Sequence, residues 1–386
     1  MINKKICYIS GSRADFGLVS RLLNFIKNDN SLTLQLLVTG SHLSNKHGDT
    51  YKEILKQGFK INQKIKIIKS NDKSKDILIS LSECIKKISK SIEKLKPDII
   101  LLLGDRYEIF ASAISSFLHK IPICHIHGGE ITAGAFDDAF RHSITKMSLY
   151  HFVTHKSYKK RIIQLGENPK NIFNVGSLGV DNIKKFNFLN KKNIEKKFDF
   201  KFLKKNIMIV IHPETLSNTN SEKITKELLK ALSYFTDIFF IFSCPNADND
   251  NKKINRLIKD YVRKNNNKSI FVNSMGHLNF LSCLKYVDCI VGNSSSGIIE
   301  APSLKIPTIN IGSRQRGRIK AKSVVECKFK NNDIIKSIKL IYSKKFKYLI
   351  KNASNPYENN NSARIIYNKL KKINIPKNLS KMFYDL

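Results

Sequence analysis

No C-x-x-C pair occurs in this 386-residue chain, and its cysteines are odd in number: Cys7, Cys84, Cys124, Cys244, Cys283, Cys289 and Cys327. A disulfide framework needs paired cysteines and a zinc site needs clustered ligands, so neither is signalled and free thiols in a reducing compartment are expected. Long hydrophobic runs are missing too. The polar start of the chain leads only into Ile6–Ile9, too brief for a signal-peptide core or a bilayer span, which gives the expectation of a cytoplasmic protein without a membrane partner. No short tandem repeat is present.

Acidic residues are scarce, 31 against 68 basic ones, and the net charge of +37 suggests a polyanionic partner at first sight. Arginine is scarce as well. Only eleven of the basic residues are Arg, and the lysines travel with Asn and Ile along the whole chain, as an AT-rich coding sequence would produce. A nucleic-acid face concentrates Arg and interleaves aromatics. The lysines therefore read as solvated helix faces, and no nucleic-acid partner is expected.

What is present is the makeup of an enzyme-sized globular protein, 41% hydrophobic and 26% charged, long enough for two domains. Short β-branched runs alternate with stretches of helical period, the pattern of βαβ units and a parallel sheet. A first series places strands at 5–10, 32–39, 99–103, 121–126, 151–154 and 173–175. A second places them at 207–211, 238–243, 269–272, 288–291 and 307–311. The fold class is α/β, with two Rossmann-like doubly wound domains: residues 1–183, a polar linker at 184–205, a second domain at 206–372, and a tail at 373–386 that returns to the first domain. Ligands in such sheets bind beyond the C-terminal ends of the strands, so the active site is expected in the cleft between the domains.

The residues following each strand carry the chemistry. Gly11-Ser12-Arg13-Ala14-Asp15-Phe16-Gly17 is a strand–turn–helix entry without the G-x-G-x-x-G fingerprint, which disfavours NAD. Arg13 there is either a phosphate ligand or a surface residue, with Asp15 as the N-cap of the next helix. Gly104-Asp105-Arg106-Tyr107-Glu108 sets a carboxylate and a guanidinium at the mouth of a buried strand. His125-Ile126-His127-Gly128-Gly129-Glu130 is followed by Asp137-Asp138 and Arg141-His142. Paired carboxylates from different loops supply the acid and base that proton transfer at carbon requires, although Asp137 or Asp138 can equally be an N-cap. Histidine spacing here matches no metal motif, and no metal is expected. In the second series His212-Pro213-Glu214 and Cys244-Pro245-Asn246 follow strands. Gly292-Asn293-Ser294-Ser295-Ser296-Gly297 then opens a helix bearing Glu300, a phosphate-binding arrangement of backbone N–H groups and hydroxyls. Arg314, Arg316 and Arg318 lie downstream.

Gly-Ser-Arg-Ala-Asp (11–15), Thr-Gly-Ser-His-Leu (39–43), Gly-Asp-Arg-Tyr-Glu (104–108), His-Gly-Gly-Glu (127–130), Asp-Asp-x-x-Arg-His (137–142) and Gly-Asn-Ser-Ser-Ser-Gly-Ile-Ile-Glu (292–300) occur in this order. In them the chain resembles the hydrolysing UDP-N-acetylglucosamine 2-epimerases of sialic acid biosynthesis. The resemblance implies the glycosyltransferase-B arrangement, release of N-acetylmannosamine and UDP through a 2-acetamidoglucal, no cofactor, and a homo-oligomer, dimer or tetramer. It also implies acid/base roles for Asp105, Glu130, Asp137 and Asp138. His212 is expected to assist the leaving diphosphate and to hold the nucleotide with Asn246, Ser294, Ser295, Glu300 and Arg314, while Arg13 reaches the phosphates. Arg106, His127 and His142 complete the substrate contacts. In several relatives the residue two places after the first His of this loop is Glu, and here it is His127. Related enzymes act on a UDP- or GDP-linked 2,4-diacetamido-2,4,6-trideoxy sugar of legionaminic acid biosynthesis, the alternative substrate. A glycosyltransferase of the same build and a basic nucleic-acid-binding protein are the remaining readings.

Overall fold

The computed structural model describes residues 3–45, 48–67, 74–132, 136–212, 221–243, 251–273, 275–376 and 378–386. The chain divides into two units. The first comprises Met1–Glu130, Phe136–Asn182 and Asn359–Leu386, and the second runs Ile183–Glu358 and takes in Ile131 and Thr132.

In the first unit, seven parallel strands form one sheet: β1 (Lys4–Ser10), β2 (Leu32–Val38), β3 (Gln63–Lys64), β4 (Ile99–Leu103), β5 (Ile123–Ile126), β6 (Tyr150–Val153) and β7 (Ile172–Asn174). Their order is β3-β2-β1-β4-β5-β6-β7. Because successive side chains point to opposite faces, the continuous run Ile99–Leu103 feeds two cores. Ile99, Leu101 and Leu103 pack under one face with Tyr8 and Leu36, while Ile100 and Leu102 pack under the other with Cys7, Ile9 and Leu37. The helices of this unit are α1 (Arg13–Lys27), α2 (Tyr51–Lys56), α3 (Ser74–Leu95), α4 (Tyr107–Leu118), α5 (Phe136–Met147), α6 (Lys156–Gln164) and α7 (Leu178–Ile183). Val19, Leu22 and Ile26 of α1 cover the first face, and Ile88 and Ile92 of α3 with Ile109 of α4 cover the second.

The second sheet has six parallel strands, β8 (Asn206–Val210), β9 (Phe239–Ser243), β10 (Ser269–Val272), β11 (Cys289–Gly292), β12 (Thr308–Ile311) and β13 (Val324–Cys327), in the order β10-β9-β8-β11-β12-β13. Its helices are α8 (Lys191–Phe198), α9 (Ser221–Ser233), α10 (Asn251–Lys264), α11 (His277–Leu284), α12 (Ser295–Ile299), α13 (Asn331–Ile341) and α14 (Lys344–Asn352). Ile207 and Ile209 pack beneath α9, α10 and α13, whereas Met208 and Val210 face the opposite core.

Three expectations are corrected. Residues 184–205 are no linker: they contain α8, and Ile194 and Phe202 are buried with Phe186, Phe188 and Phe200 against Met208 and Ile241, closing the second face of the sheet. The phenylalanines of this otherwise polar stretch are the reason. The second domain does not run to 372. The last helix, α15 (Ser362–Lys372), belongs to the first unit, where Ala363, Ile366 and Leu370 join the core around Leu22 and Ile26. Asp29 accepts from Tyr367 Oη at 2.5 Å and Lys371 Nζ at 2.8 Å, and Asp181 accepts from the Ala363 amide at 3.1 Å. The tail stays with the same unit, with the Tyr384 amide donating to Gly166 O at 2.9 Å. Thirdly, Asp15 is not the cap of α1. Ser12 is, its Oγ accepting from the Asp15 amide at 3.3 Å. Two edge strands went unread: β3 is Gln-Lys, and β13 is only partly buried, so neither shows an apolar run.

Six cysteines, all but Cys244, lie in described residues and are buried and free. No described helix is long and apolar enough to cross a membrane. Ile366→Ala removes a fully buried side chain from the α1–α15 contact and should cost about 2–5 kcal/mol, read from the urea unfolding midpoint of the full chain. An unchanged midpoint would show that α15 does not contribute to this core.

Candidate functional site

In each sheet the strand order reverses at one place, between β1 and β4 in the first unit and between β8 and β11 in the second. Connections leave such a point in opposite directions, so the loops after the two central strands are splayed and left open to a ligand.

In the first unit, Gly104 takes φ +82° after β4 and turns Asp105 and Arg106 out of the sheet. Asp105 accepts a hydrogen bond from the Arg141 guanidinium of α5, which also lies 3.7 Å from Asp138. Arg106 donates through Nε to Glu108 Oε1 at 2.7 Å, and Glu108 is fully buried. Space for that carboxylate comes from two glycines: a Cβ at Gly11 or Gly40 would lie 2.5 or 2.8 Å from Glu108 Oε1. The remaining Arg106 nitrogens carry no partner among the described residues, and about a third of the side chain is exposed (37%). A guanidinium fixed at one edge keeps its remaining N–H groups for further hydrogen bonds.

Nearby carboxyls titrate high. Burial pushes Asp15 up to about 6, against the opposing pull of Arg106, and its Oδ2 has no partner among the described residues. Burial likewise raises Asp137 to about 6, with the Asp105 charge adding to the shift and Arg106 and Arg141 opposing it. Asp137 and Asp138 both lie in the first turn of α5, which begins at Phe136, so the reading of either as a cap for a helix starting near Ala139 is corrected.

His125 in β5 is buried and bonded to Gly104 O at 2.9 Å and Thr145 Oγ1 at 3.2 Å, and burial lowers it to about 3. It is a neutral brace for the Asp105 turn. His127 is different: its backbone is left-handed, φ +67°, its Nδ1 lies 3.2 Å from Glu130 Oε1, and its buried Nε2 has no partner among the described residues. Thr154 Oγ1 also donates to Glu130 Oε1, at 3.0 Å. His142 lies 3.8 Å from Asp138 and lines a groove on the α4–α5 face with Phe110, Ile114 and Met147. Arg13 is the first residue of α1, paired with Glu53 at 3.4 Å. The structure thus brings Asp105, Arg106, Asp137, Asp138 and Arg141 into one electrostatic cluster beside the His127–Glu130 pair.

In the second unit, Gly292 permits the closest approach of the two central strands, since a Cβ there would meet Val210 O at 1.9 Å. Asn293 then bridges them: the His212 amide donates to its Oδ1 at 2.7 Å, and its Nδ2 donates to His212 O at 2.9 Å. Arg314 Nη1 and Gln315 Nε2 both donate to Asn293 O, at 3.1 and 2.9 Å. Burial, with Arg314 adding to it, lowers His212 to about 3, so its imidazole is neutral at physiological pH. Ser294 caps α12, its Oγ accepting from the Ser296 amide at 3.3 Å, and Ser295 is the first helical residue. Glu300 Oε1 pairs with His277 Nε2 at 2.9 Å. Asn246, with Pro213, Glu214 and Cys244, lies outside the described residues.

Glu108, Asn293, Gln315 and His277 were not singled out as site residues. Glu108 and Asn293 stand inside the quoted motifs, where their neighbours drew attention, while the His277–Glu300 pair spans 23 residues and leaves no local signal.

The family model described as UDP-N-acetylglucosamine 2-epimerase matches residues 24–371. The chain is 44% identical over 347 residues to a Campylobacter jejuni protein, GDP/UDP-N,N'-diacetylbacillosamine 2-epimerase (hydrolyzing), covering 90% of each. It is 40% identical to the polysialic acid biosynthesis protein P7 of Escherichia coli, covering 99% of this chain and 98% of that protein. Among solved structures, the Neisseria meningitidis UDP-GlcNAc 2-epimerase bound to UDP-GlcNAc superposes with a TM-score of 0.81 at 20% identity, covering 96% of this chain and 100% of the other. That likeness speaks to the fold.

Asp15 gives a stability test with a definite sign. Its folded value, about 6, lies above the ordinary 3.8, so the folded chain binds the extra proton and this group's contribution falls as pH rises from about 4 to 6. Asp15→Asn should therefore stabilise the protein by about 1 kcal/mol more at pH 8 than at pH 5. Equal urea midpoint shifts at both pH values would contradict a raised Asp15.

Proposed function

Because the chain belongs to the UDP-N-acetylglucosamine 2-epimerase family, we propose that it converts UDP-N-acetylglucosamine and water to N-acetylmannosamine and UDP. The single observation that carries this reading is the strand-end cluster in which Arg141 grips Asp105 while Asp137 holds its proton to about pH 6. Epimerising C2 of an acetamido sugar requires one group to take a proton from carbon and another to deliver one. A cluster with one ion-paired carboxylate and one raised carboxyl supplies both states near neutral pH.

Asp105, Glu130, Asp137 and Asp138 form the acid/base set. The proton leaves C2 as the C1–O bond breaks, the electron pair forms the C1=C2 bond of a 2-acetamidoglucal, and UDP departs with the C1–O electrons. Water then adds its oxygen to C1, and a proton is delivered to C2 on the opposite face. Negative charge grows on the diphosphate as the bond breaks and needs fixed positive partners. Arg106 and Arg13 in the first unit, and Arg314 beside neutral His212 in the second, are the side chains suited to that role. Ser294, Ser295, Glu300 and Asn246 are assigned to the nucleotide, and His142 to the sugar side. The enzyme works in the cytoplasm, where sugar nucleotides are made, and as a homo-oligomer.

A second substrate has a specific observation in its favour. The 44% identical relative is named for a diacetylbacillosamine nucleotide, so a UDP- or GDP-linked 2,4-diacetamido-2,4,6-trideoxy sugar is the alternative for the same chemistry.

Incubation with each sugar nucleotide in deuterium oxide tests the proposal. UDP or GDP should be released without an acceptor, and the free sugar should carry one deuterium at C2. An intact nucleotide-linked product, or a free sugar without deuterium, rules the reaction out. Asp105→Asn should lower kcat about 100-fold or more while leaving the UDP dissociation constant within about threefold of wild type.

A further inference from the structure

The acid/base set holds more carboxylates than a single proton abstraction requires, and one of them does not face open space. Glu130 is 2% exposed, and its Oε1 is engaged by the Thr154 hydroxyl at 3.0 Å and His127 Nδ1 at 3.2 Å. A carboxylate accepts hydrogen bonds and donates none, so it favours the tautomer of His127 with the hydrogen on Nδ1. That leaves Nε2 as the basic nitrogen, and Nε2 is the atom of this ring with no partner among the described residues. An unmet buried acceptor is costly unless something arrives to fill it.

The backbone carries the same message. His127 holds φ +67° at the end of β5, a conformation natural to glycine and strained for most other residues. The chain turns there into Gly128 and Gly129, and a glycine at 127 would satisfy the turn without strain. The imidazole is kept at a backbone position that works against it. We infer that His127 is the base that takes the C2 proton, with Nε2 as the accepting atom and Glu130 as the positioning residue that fixes its tautomer and orientation. The inference rests on the 2-epimerase reading and changes its assignment: Glu130 acts through His127. In the step, the C2–H pair becomes the C1=C2 bond, the proton passes to Nε2, and the C1–O pair leaves with the nucleoside diphosphate.

Among the described residues, the charged and titratable groups near the ring include Glu130 on its own loop, His125 from β5 and Arg141 from α5, and Arg161 from α6 donates to Gly129 O two residues on. Burial keeps His125 neutral through the assay range, since it lowers that ring to about 3. The arginines keep their charge throughout.

The experiment uses full-length protein and the sugar nucleotide that wild type turns over, with UDP binding by calorimetry and melting temperature as controls. His127→Gln should lose kcat and deuterium entry at C2 together, about 100-fold or more, with UDP affinity within about threefold. Glu130→Gln should lower kcat about tenfold while KM stays within about threefold, a split that a general loss of folding or binding would not give. His127→Gly suits the left-handed backbone and guards against misfolding; added imidazole should restore its turnover and acetate should not. The assignment is overturned if His127→Gln or His127→Gly keeps more than about a tenth of wild-type kcat, if imidazole fails to restore His127→Gly, or if Glu130→Gln costs as much kcat as His127→Gln. Wild type that releases no nucleotide from any of the sugars would instead sink the epimerase reading itself.

Discussion

The reversal of strand order at the centre of each sheet is the constraint on which the rest depends. At β1 and β4, and again at β8 and β11, the outgoing connections diverge, which opens a crevice at the two central strand ends. Polar loops can sit there without burying their backbone groups. Both central seams need a residue without a side chain to close: Gly11 makes room for Glu108, and Gly292 lets the backbone approach Val210. The two seams are then stabilised by opposite means, a buried ion pair between Arg106 and Glu108 in one, and the neutral Asn293 bridge in the other.

That contrast follows from what each seam must do. The first gathers Asp15, Asp105, Glu108, Asp137 and Asp138 around Arg106 and Arg141. Burial, with the neighbouring carboxylates adding to it, makes full ionisation costly, and protons are held to about pH 6 on Asp15 and Asp137. The second seam holds its histidine neutral and turns Arg314 onto a carbonyl of the Asn293 bridge.

Much of this was legible in the residue order. Continuous apolar runs such as Ile99–Leu103 mark buried parallel strands wherever they occur, and the polar residues immediately after them mark the strand ends. Legibility failed where a short-range pattern met a long-range partner. The Phe-rich 184–205 stretch looks like a linker until Met208 and Ile241 are seen to need a cover. α15 continues the second unit in sequence, yet its apolar side meets α1, about 340 residues away, and its anchor Asp29 sits in the turn after that helix. Caps were misplaced for a local reason: Ser12 and Asp15 are both good cap residues, and only backbone geometry decides which oxygen meets which amide.

His127 is the place where local rules and observed structure disagree most. A turn of this shape favours glycine, two glycines already follow, and the buried polar edge of the imidazole goes unmet among the described residues. Each of these works against folding, and what the side chain gains in return is its contact with Glu130. Local conflict of this kind collects at sites where chemistry, not stability, dictates the residue. Glu130 argues the same way: a carboxylate committed to Thr154 and to an imidazole edge is badly placed to collect a proton from carbon, but well placed to fix the tautomer and orientation of the ring. The histidine–carboxylate pair is therefore better read as one base than as two independent residues of the site.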